Sequence, residues 1–155
     1  MTGNRNAAVY RIREVDVQDD DVTETLAELH GLTFFGAARA PEFDLGHWWL
    51  AYCEGIPIAF AGLVQSTHAE NAGYFCRVGV LRGHWGRGLQ LRLMRAMEGR
   101  ARRNGWSVIV SDTTDNTVSA NNFIRSGYLL YTPRCPWGWP HTLYWRKFIG
   151  RGDRT

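Results

Sequence analysis

A glycine-rich turn that opens into an arginine-rich helix is the part of the chain best suited to chemistry. The stretch from Tyr74 to Arg103 reads YFCRVGVLRGHWGRGLQLRLMRAMEGRARR. Gly83, Gly86 and Gly88 permit backbone conformations that a side chain hinders, so successive N–H groups can point into one concavity. The start of the following helix adds unpaired N–H donors and the positive end of the helix dipole. Together these groups suit a phosphate or pyrophosphate.

The plainer interpretation of this turn is an ordinary connection between a strand and a helix. Its glycines would then serve only tight packing, although Arg82 and Arg87 place positive charge at the same point. Glycine spacing alone favours that interpretation by roughly two to one, because short glycine patterns are common. The choice between the two depends on a second segment.

The residues around the turn predict the elements that position it. Phe75, Val78 and Val80 have the composition of a buried strand. After Gly88, apolar residues recur at helical spacing over about four turns. The apolar stripe comprises Leu89, Leu93, Met94, Met97 and Ala101, and the opposite, charged side comprises Arg92, Arg95, Glu98 and Arg102. Basic residues followed by Asn104-Gly105 mark the end of this helix.

The second segment is TTDNTVSANNFIRSGY, from Thr113 to Tyr128. Together the two segments resemble the GNAT N-acetyltransferase superfamily, in which a turn and helix of the form R/Q-x-x-G-x-G/A cradles the pyrophosphate of acetyl-CoA. The first pattern reads Trp85-Gly86-Arg87-Gly88-Leu89-Gln90, preceded by Val78-Gly79-Val80-Leu81, and the second comprises Asn116, Ser119, Phe123 and Gly127-Tyr128. The resemblance covers about Tyr10 to Phe148, in the element order of one such domain.

The resemblance implies an α/β fold, a central mixed sheet flanked by helices. It implies binding of acetyl-CoA, or another acyl-CoA, and transfer of the acyl group to a small-molecule or peptide amine by direct attack in a ternary complex. Strand backbone around Val78 and Val80 is implied to bind the pantetheine arm and polarise the thioester carbonyl. The implied cofactor-binding residues are Val78, Gly79, Val80, Trp85, Gly86, Arg87, Gly88, Leu89, Gln90, Asn116, Ser119 and Phe123. No metal is implied.

Four positions depart from the family pattern. Trp85 stands where the family has Arg or Gln, and Gln90 where it has Gly or Ala. Many members use a strand Glu as base and a helix Tyr as acid, and these positions are Cys76 and Phe123 here, neither suited to that proton transfer. The catalytic residues are therefore unknown from the sequence. Candidate bases are Glu70, His68, His84 and Asp112, and candidate acids are Tyr128 and Tyr131, each more often an ordinary surface or packing residue.

Two alternatives stay open beside an acetyltransferase. Cys76 and Phe123 permit a CoA-binding domain whose chemistry is lost or altered. The arginine-rich helix and the Trp residues permit a nucleic-acid-binding module. The net charge is only +3, which gives little support to nucleic acid or membrane as a partner. Seven arginines lie between Arg82 and Arg103, where an anionic cofactor would sit.

Length and composition favour one domain, residues 1–155, with loose ends at 1–7 and 150–155. A chain of 155 residues with 45% hydrophobic content can bury a sizeable core. Three cysteines give an odd count without metal-ligand spacing, which indicates a reducing compartment. No signal peptide or membrane span is recognisable, so we expect a cytoplasmic protein. The oligomeric state stays open, with a homodimer as one option.

The flanking segments predict the remaining elements. A strand is expected at Val9 to Val15, then a helix that starts after Asp19 to Asp21 and stops at Gly31. Strands at Trp48 to Tyr52 and Ile56 to Gln65 form a hairpin about Glu54-Gly55. Further strands are expected at Trp106 to Ser111, parallel to its predecessor, and at Tyr128 to Thr132 and Thr142 to Phe148.

Two aromatic segments are candidates for the acceptor site. Gly31 to Gly46 has no clear period, and in the family this region often borders the acceptor. Trp137 and Trp139 lie in a proline-rich linker and offer an aromatic wall for a cationic amine. Core packing or a subunit contact explains these tryptophans equally well.

Overall fold

One seven-stranded sheet and three α-helices form the part of the chain described by a computed structural model, residues 9–35 and 38–150. In chain order the elements are β1 (Tyr10–Val15), α1 (Asp20–Phe34), β2 (His47–Cys53), β3 (Ile56–Gln65), β4 (Ala72–Val80), α2 (Leu89–Arg103), β5 (Val108–Thr113), α3 (Thr117–Arg125), β6 (Leu129–Tyr131) and β7 (Leu143–Phe148). A short 3-10 turn, Arg82–His84, joins β4 to α2. Apart from Gly150, the ends predicted to be loose lie outside the described residues.

The sheet is mixed, as the sequence predicts. Its strand order is β1-β2-β3-β4-β5-β7-β6. Strands β4 and β5 run parallel, and the other neighbouring pairs run antiparallel. The parallel pair is the one that α2 connects, which is the arrangement expected for a strand, helix, strand succession. Strand β5 begins two residues later than predicted, at Val108.

Alternate residues of β2 contribute to two hydrophobic layers. Trp49 and Ala51 pack on the face covered by α2 and α3, whereas Trp48 and Leu50 pack on the face covered by α1. This alternation is required of a central strand that has helices on both sides. The predicted apolar stripe of α2, Leu89, Leu93, Met94, Met97 and Ala101, is buried on the first of these faces.

Helix α1 extends beyond its predicted end. The prediction of a stop at Gly31 is wrong, because α1 continues to Phe34 and Phe35 takes the left-handed cap position. The extra turn is stabilised by contacts outside the helix backbone. Phe34 stacks on the buried ring of His30 with 4.6 Å between centroids, and the guanidinium of Arg77 lies over Phe34. Tertiary packing here outweighs the low helix propensity of glycine.

Glu98 is the second departure from the predicted helix pattern. It was expected on the charged side of α2, yet only 6% of the residue is exposed. Lys147 Nζ donates to both carboxylate oxygens at 3.1 Å, and Ser126 Oγ donates to Oε2 at 3.4 Å. A buried carboxylate needs such partners. The pairing lies between α2 and β7, which are distant in sequence, so helical periodicity does not reveal it.

The parallel ladder between β4 and β5 is short. Its last pair is Tyr74 with Val110, whereas β4 continues to Val80. The register of β4 against β3 shifts at Cys76, as in a β-bulge. Immediately beyond the ladder, the Ser111 hydroxyl donates to the carbonyl of Phe75 at 2.7 Å. The second half of β4 therefore has no strand on its β5 side, and a gap opens in the sheet.

Other sequence expectations concern cysteines and membrane spans. All three cysteines, Cys53, Cys76 and Cys135, are free. No helix within residues 9–35 and 38–150 combines the length and apolarity that a membrane crossing needs. In the same residues, no three His, Cys, Asp or Glu side chains come together as a metal site.

The buried pair between Glu98 and Lys147 yields a test of the fold. Glu98→Ala should lower the free energy of unfolding by about 3 kcal/mol, because it leaves the Lys147 ammonium largely buried without its counter-ion. Urea unfolding followed by circular dichroism measures this loss. Arg102→Ala is the matched control, because Arg102 is the exposed partner of the same carboxylate and its removal should cost about 0.5 kcal/mol. Equal losses in the two variants would contradict the assigned role of Lys147.

Candidate functional site

A cavity of about 600 Å³ lies beside the unpaired half of β4. Eleven of the twelve residues predicted for the cofactor line it: Val78, Gly79, Val80, Trp85, Gly86, Arg87, Gly88, Leu89, Gln90, Asn116 and Ser119. They come from β4, from the turn before α2 and from the start of α3. The short ladder between β4 and β5 thus brings two separated motifs to one concave surface.

The glycine turn has the backbone geometry that the sequence suggests. Gly86 and Gly88 adopt φ values of +74° and +71°, which residues other than glycine rarely adopt. A Cβ built at either position meets no heavy atom within 4 Å, so both glycines border open space. The turn therefore needs glycine for its conformation, and it leaves room for a ligand next to the backbone.

The N-terminus of α2 faces this turn without a side-chain cap. Gly88 is the N-cap residue, and the first turn of the helix contains no acidic residue. The first backbone donor within the helix is Arg92, whose N–H bonds the carbonyl of Gly88 at 3.1 Å. The N–H groups of the preceding residues at the helix start have no acceptor within the helix. With the helix dipole, they form a site for an anion.

The polar backbone groups of Val78 and Val80 also face the cavity. The N–H of Leu81 bonds the carbonyl of Ile58 on β3 at 2.9 Å. In an antiparallel ladder, residues alternate between pointing their polar groups at the neighbouring strand and away from it. Gly79 therefore points toward β3, whereas Val78 and Val80 point to the side that β5 leaves uncovered.

Trp85 forms a hydrogen bond with one of these backbone groups. Its indole Nε1 donates to the carbonyl oxygen of Val80 at 2.7 Å, and Arg82 lies over its ring at 5.5 Å. Trp85 is 59% exposed, so this contact is local and does not bury the residue. The departure from the family pattern at this position thus adds a polar contact at the edge of the cavity.

Gln90, the other departure in the turn, connects the two helices. Its Nε2 donates to Ser119 Oγ at 3.2 Å, and Asn122 Nδ2 donates to its Oε1 at 3.1 Å. A glycine or alanine cannot make these bonds. The side chain is therefore directed to α3, and its amide is already hydrogen-bonded within the protein.

The α3 residues divide into cavity and core positions. Asn116 Oδ1 caps α3 by accepting from the N–H of Ser119 at 3.0 Å, and both residues line the cavity. Phe123 is the one predicted cofactor residue that does not line it. Its ring is 2% exposed and packs against Phe75, Tyr128 and Trp145. The apolar ring is buried because α3 places it on the sheet.

Several lining residues were missed by the sequence reasoning. They are Thr33, Phe34, Leu91, Val118, Asn122 and Arg125. Asn122 and Arg125 follow Ser119 at intervals of three, so helical spacing from the predicted positions would have found them. Thr33 and Phe34 come from the end of α1, and no local pattern places them beside the glycine turn.

Cys76, at the position of the family's base, and Tyr128, a candidate acid, are both unsuited to proton transfer. Burial raises the pKa of the Cys76 thiol to about 12, although the charge of Arg77 partly opposes the effect. Tyr128 is fully enclosed, and its Oη has no hydrogen-bond partner. Burial, and then the charge of Glu98, raises the pKa of Tyr128 well above its ordinary value. At neutral pH both side chains stay protonated.

The other candidates lie in several separate places. His84 lines the cavity, where its Nδ1 lies 2.8 Å from Tyr10 Oη. His68 and Asp112 belong to a separate aromatic cluster with Tyr74 and Trp137, while Glu70 is exposed. Tyr131 lies under the guanidinium of Arg146, and burial is the main cause that raises its pKa. Among the residues that the structure describes, none of those lining the cavity carries a carboxylate.

The arginines of α2 are partly paired. Arg100 and Arg103 lie 3.0 and 3.7 Å from Glu14 Oε1, and Arg102 lies 3.7 Å from Glu98 Oε1. These pairs neutralise part of the basic face that suggested a nucleic-acid partner. Two further arginines, Arg87 and Arg125, line the cavity and leave it positively charged.

Solved structures of other proteins share the fold described above. A protein from Klebsiella pneumoniae described as an acyl-CoA N-acyltransferase is 20% identical, with a TM-score of 0.70 over 91% of this chain and 98% of that one. The acetyltransferase yncA from Salmonella typhimurium, crystallised with its cofactor acetyl-CoA, is 17% identical, with a TM-score of 0.70 over 92% and 95%. An aminoglycoside 6′-acetyltransferase of type Ii is 18% identical, with a TM-score of 0.72 over 90% and 97%.

Comparison at the level of sequence gives the family. No match was found among proteins of curated function. A model of the acetyltransferase (GNAT) family, however, matches residues 8–128, which include both the glycine turn and the α3 segment. Because this match spans most of the chain, the protein belongs to the GNAT family of acetyltransferases.

Proposed function

We propose that the protein binds acetyl-CoA, or another acyl-CoA, in the cavity beside β4 and catalyses transfer of the acyl group to an amine. One observation carries this proposal. The open N-terminus of α2 and the outward-facing backbone of Val78 and Val80 border the same cavity. An anion site next to an unpaired strand edge matches a ligand that joins a pyrophosphate to a chain of amides.

The chemistry of the lining residues fits such a ligand. Arg87 and Arg125 add positive charge, and none of the described lining residues has a carboxylate that would oppose an anion. Gly86 and Gly88 keep the turn free of side chains, so backbone N–H groups can approach phosphate oxygens. When bound, acyl-CoA supplies an activated thioester carbon. The protein's own contribution is to hold that ligand and to exclude a competing reaction with water.

We further propose direct attack by the acceptor amine, without an acyl-enzyme. Cys76 is the one cysteine on β4, and its raised pKa leaves it as a neutral thiol at physiological pH. A neutral thiol is a weak nucleophile. The amine and the thioester would therefore meet in one ternary complex, positioned by the gap between β4 and β5.

A CoA-binding domain with altered chemistry is the second candidate, and one observation favours it. The position of the family's acid is the core residue Phe123, which has no proton to donate. A thiol has a lower pKa than an ammonium group, so the thiolate can leave without being protonated. The amine, in contrast, must lose a proton before it can attack. The missing acid is thus a smaller loss than the missing base at Cys76. Because His84, a candidate base, lines the cavity, we retain catalysis as the main proposal.

The first test concerns the phosphate cradle. Gly88→Asp should weaken acetyl-CoA binding at least tenfold relative to Gly88→Asn, measured by calorimetry at low salt, because it places a negative charge where the pyrophosphate is proposed to bind. Asn is the matched control, since both side chains tolerate a left-handed backbone and have nearly the same shape. Equal affinities in two folded variants would refute this placement of the cofactor. Absence of acetyl-CoA binding to the wild type would refute the proposed function itself.

The second test concerns the kinetic mechanism. Cys76→Ala should keep kcat within about threefold of the wild type, because the buried neutral thiol forms no covalent intermediate. Initial rates of CoA release with varied acetyl-CoA and amine should give intersecting double-reciprocal lines. Parallel lines, or acetyl label retained on Cys76 in the absence of amine, would show that transfer proceeds through an acyl-enzyme.

A further inference from the structure

The outer side of β1 is an open edge of the sheet. β1 stands first in the strand order and, in the part of the chain that the structure describes, pairs only with β2. Alternate residues of an edge strand direct their N–H and C=O groups away from the neighbouring strand. β1 has six residues and pairs with β2 without a register shift. It is therefore long and regular enough to accept another strand.

The two edges of the sheet differ in how they are protected against further pairing. β6, at the other edge, has only three residues. Proteins commonly block an edge by shortness, a proline, a bulge, a covering element or charged side chains. On the face of β1 away from α2, the described residues supply charges alone, on Arg11 and Arg13. Positive charge repels a basic strand but attracts an acidic one, so this edge is selective.

Arg11 and Arg13 lie on the same face of β1. Tyr10 and Ile12 pack on the face covered by α2, so the residues that alternate with them lie on the opposite face. Both arginines are exposed, and no Asp or Glu of the described residues forms a salt bridge with either one. Their Cα atoms are roughly 7 Å apart, because a strand rises about 3.4 Å per residue. Two uncompensated charges therefore follow the edge at the spacing of alternate strand residues.

The opposite face of β1 shows how such charges are compensated elsewhere in the molecule. There, Glu14 Oε1 lies 3.0 Å from Arg100 and 3.7 Å from Arg103. The exposed arginine pair has no comparable partner in the described part of the chain. Residues 1–8, which precede β1, contain no Asp or Glu in their sequence. The neighbours of β1 in sequence therefore supply no charge that would neutralise the pair from its N-terminal side.

An open recess of about 610 Å³ lies beside the arginine pair, and Tyr52 and Glu54 are among its lining residues. Tyr52 lies directly opposite Arg11 in the β1–β2 register, so it forms the wall on the β2 side. Tyr10 pairs with Cys53, which places the exposed Glu54 at the end where β1 begins. Carboxylates are thus favoured beside the two arginines and disfavoured beyond Arg11. This charge order favours one position of an acidic ligand along the edge.

An extended peptide uses these features more fully than a compact anion. Side chains at alternate positions of a strand have the spacing of the arginine pair, so two carboxylates of an added strand can lie opposite both guanidinium groups. The backbone of the same peptide can pair with the free N–H and C=O groups of β1, as in β-strand addition. A single phosphate or carboxylate would use the charges and leave the backbone edge unpaired.

We propose that the outer edge of β1 binds an acidic peptide segment of another protein by strand addition. The segment is extended and carries carboxylates at alternate positions, which pair with Arg11 and Arg13. Two strands, β2 and β3, separate β1 from the strand that borders the cavity. The inference therefore does not depend on the proposed acyltransferase function, and its test needs no acyl-CoA.

The probe is the peptide acetyl-Thr-Glu-Val-Glu-Thr-amide, and its neutral counterpart has Gln in place of both Glu residues. At low salt the acidic peptide should shift the amide NMR signals of β1 and bind at least fivefold more tightly than the neutral one. Arg11→Gln combined with Arg13→Gln should weaken binding of the acidic peptide at least fivefold. Arg95→Gln combined with Arg134→Gln is the matched control, because it removes the same charge from exposed residues elsewhere. The control should keep the affinity within about twofold.

Methylation of the peptide backbone distinguishes strand addition from attraction between charges alone. One form of the acidic peptide is methylated at its Glu nitrogens, and the other at its Thr and Val nitrogens. A strand donates hydrogen bonds to its neighbour through alternate residues. One form should therefore lose binding at least fivefold, and the other should keep it.

Several results would overturn the inference. Unshifted β1 signals in the wild type at saturating acidic peptide would do so without reference to any variant. Equal affinity for the acidic and neutral peptides, or equal affinity of the wild type and the folded Arg11→Gln, Arg13→Gln variant, would remove the role of the arginine pair. Full binding of both methylated forms would rule out strand addition. Shifts of the same signals by an oligothymidylate but not by the peptide would assign the edge to nucleic acid instead.

Discussion

The early end of the parallel ladder between β4 and β5 is the constraint on which the structure depends. Backbone pairing stops at Tyr74 and Val110, while β4 continues for six more residues. Those residues expose polar backbone to a cavity, and the turn to α2 begins at their end. A continuous sheet would fill the gap and remove the cavity.

Much of this arrangement can be predicted from local sequence patterns. The strand ending at Val80, the positive φ of Gly86 and Gly88 and the start of α2 at Leu89 all follow from composition and spacing. These features depend on backbone preference and on periodicity, which are properties of neighbouring residues. The resemblance to the GNAT family added what local pattern lacks, namely that the α3 segment returns to the same cavity.

The features that sequence reasoning placed incorrectly share one physical cause, which is contact with residues distant in the sequence. Gly31 does not end α1 because His30 and Arg77 hold the next turn, and Glu98 is buried because Lys147 reaches it from β7. Phe123 occupies a family position for a cavity residue, but packing against Trp145 keeps it in the core. The sequence named Asp112 only as one of several candidate bases. Its surroundings were not predictable from local pattern, because its two hydrogen-bond donors come from β4 and from the β6–β7 linker.

The contact between Trp85 and the carbonyl of Val80 changes the polarity that the cavity offers to a ligand. With that acceptor occupied, the cavity-facing backbone consists mainly of donors: the N–H groups of Val78 and Val80 and those at the start of α2. Arg87 and Arg125 are donors as well. These donors and positive charges favour ligands that are rich in oxygen and disfavour ammonium ions. A positively charged molecule is consequently disfavoured in this cavity.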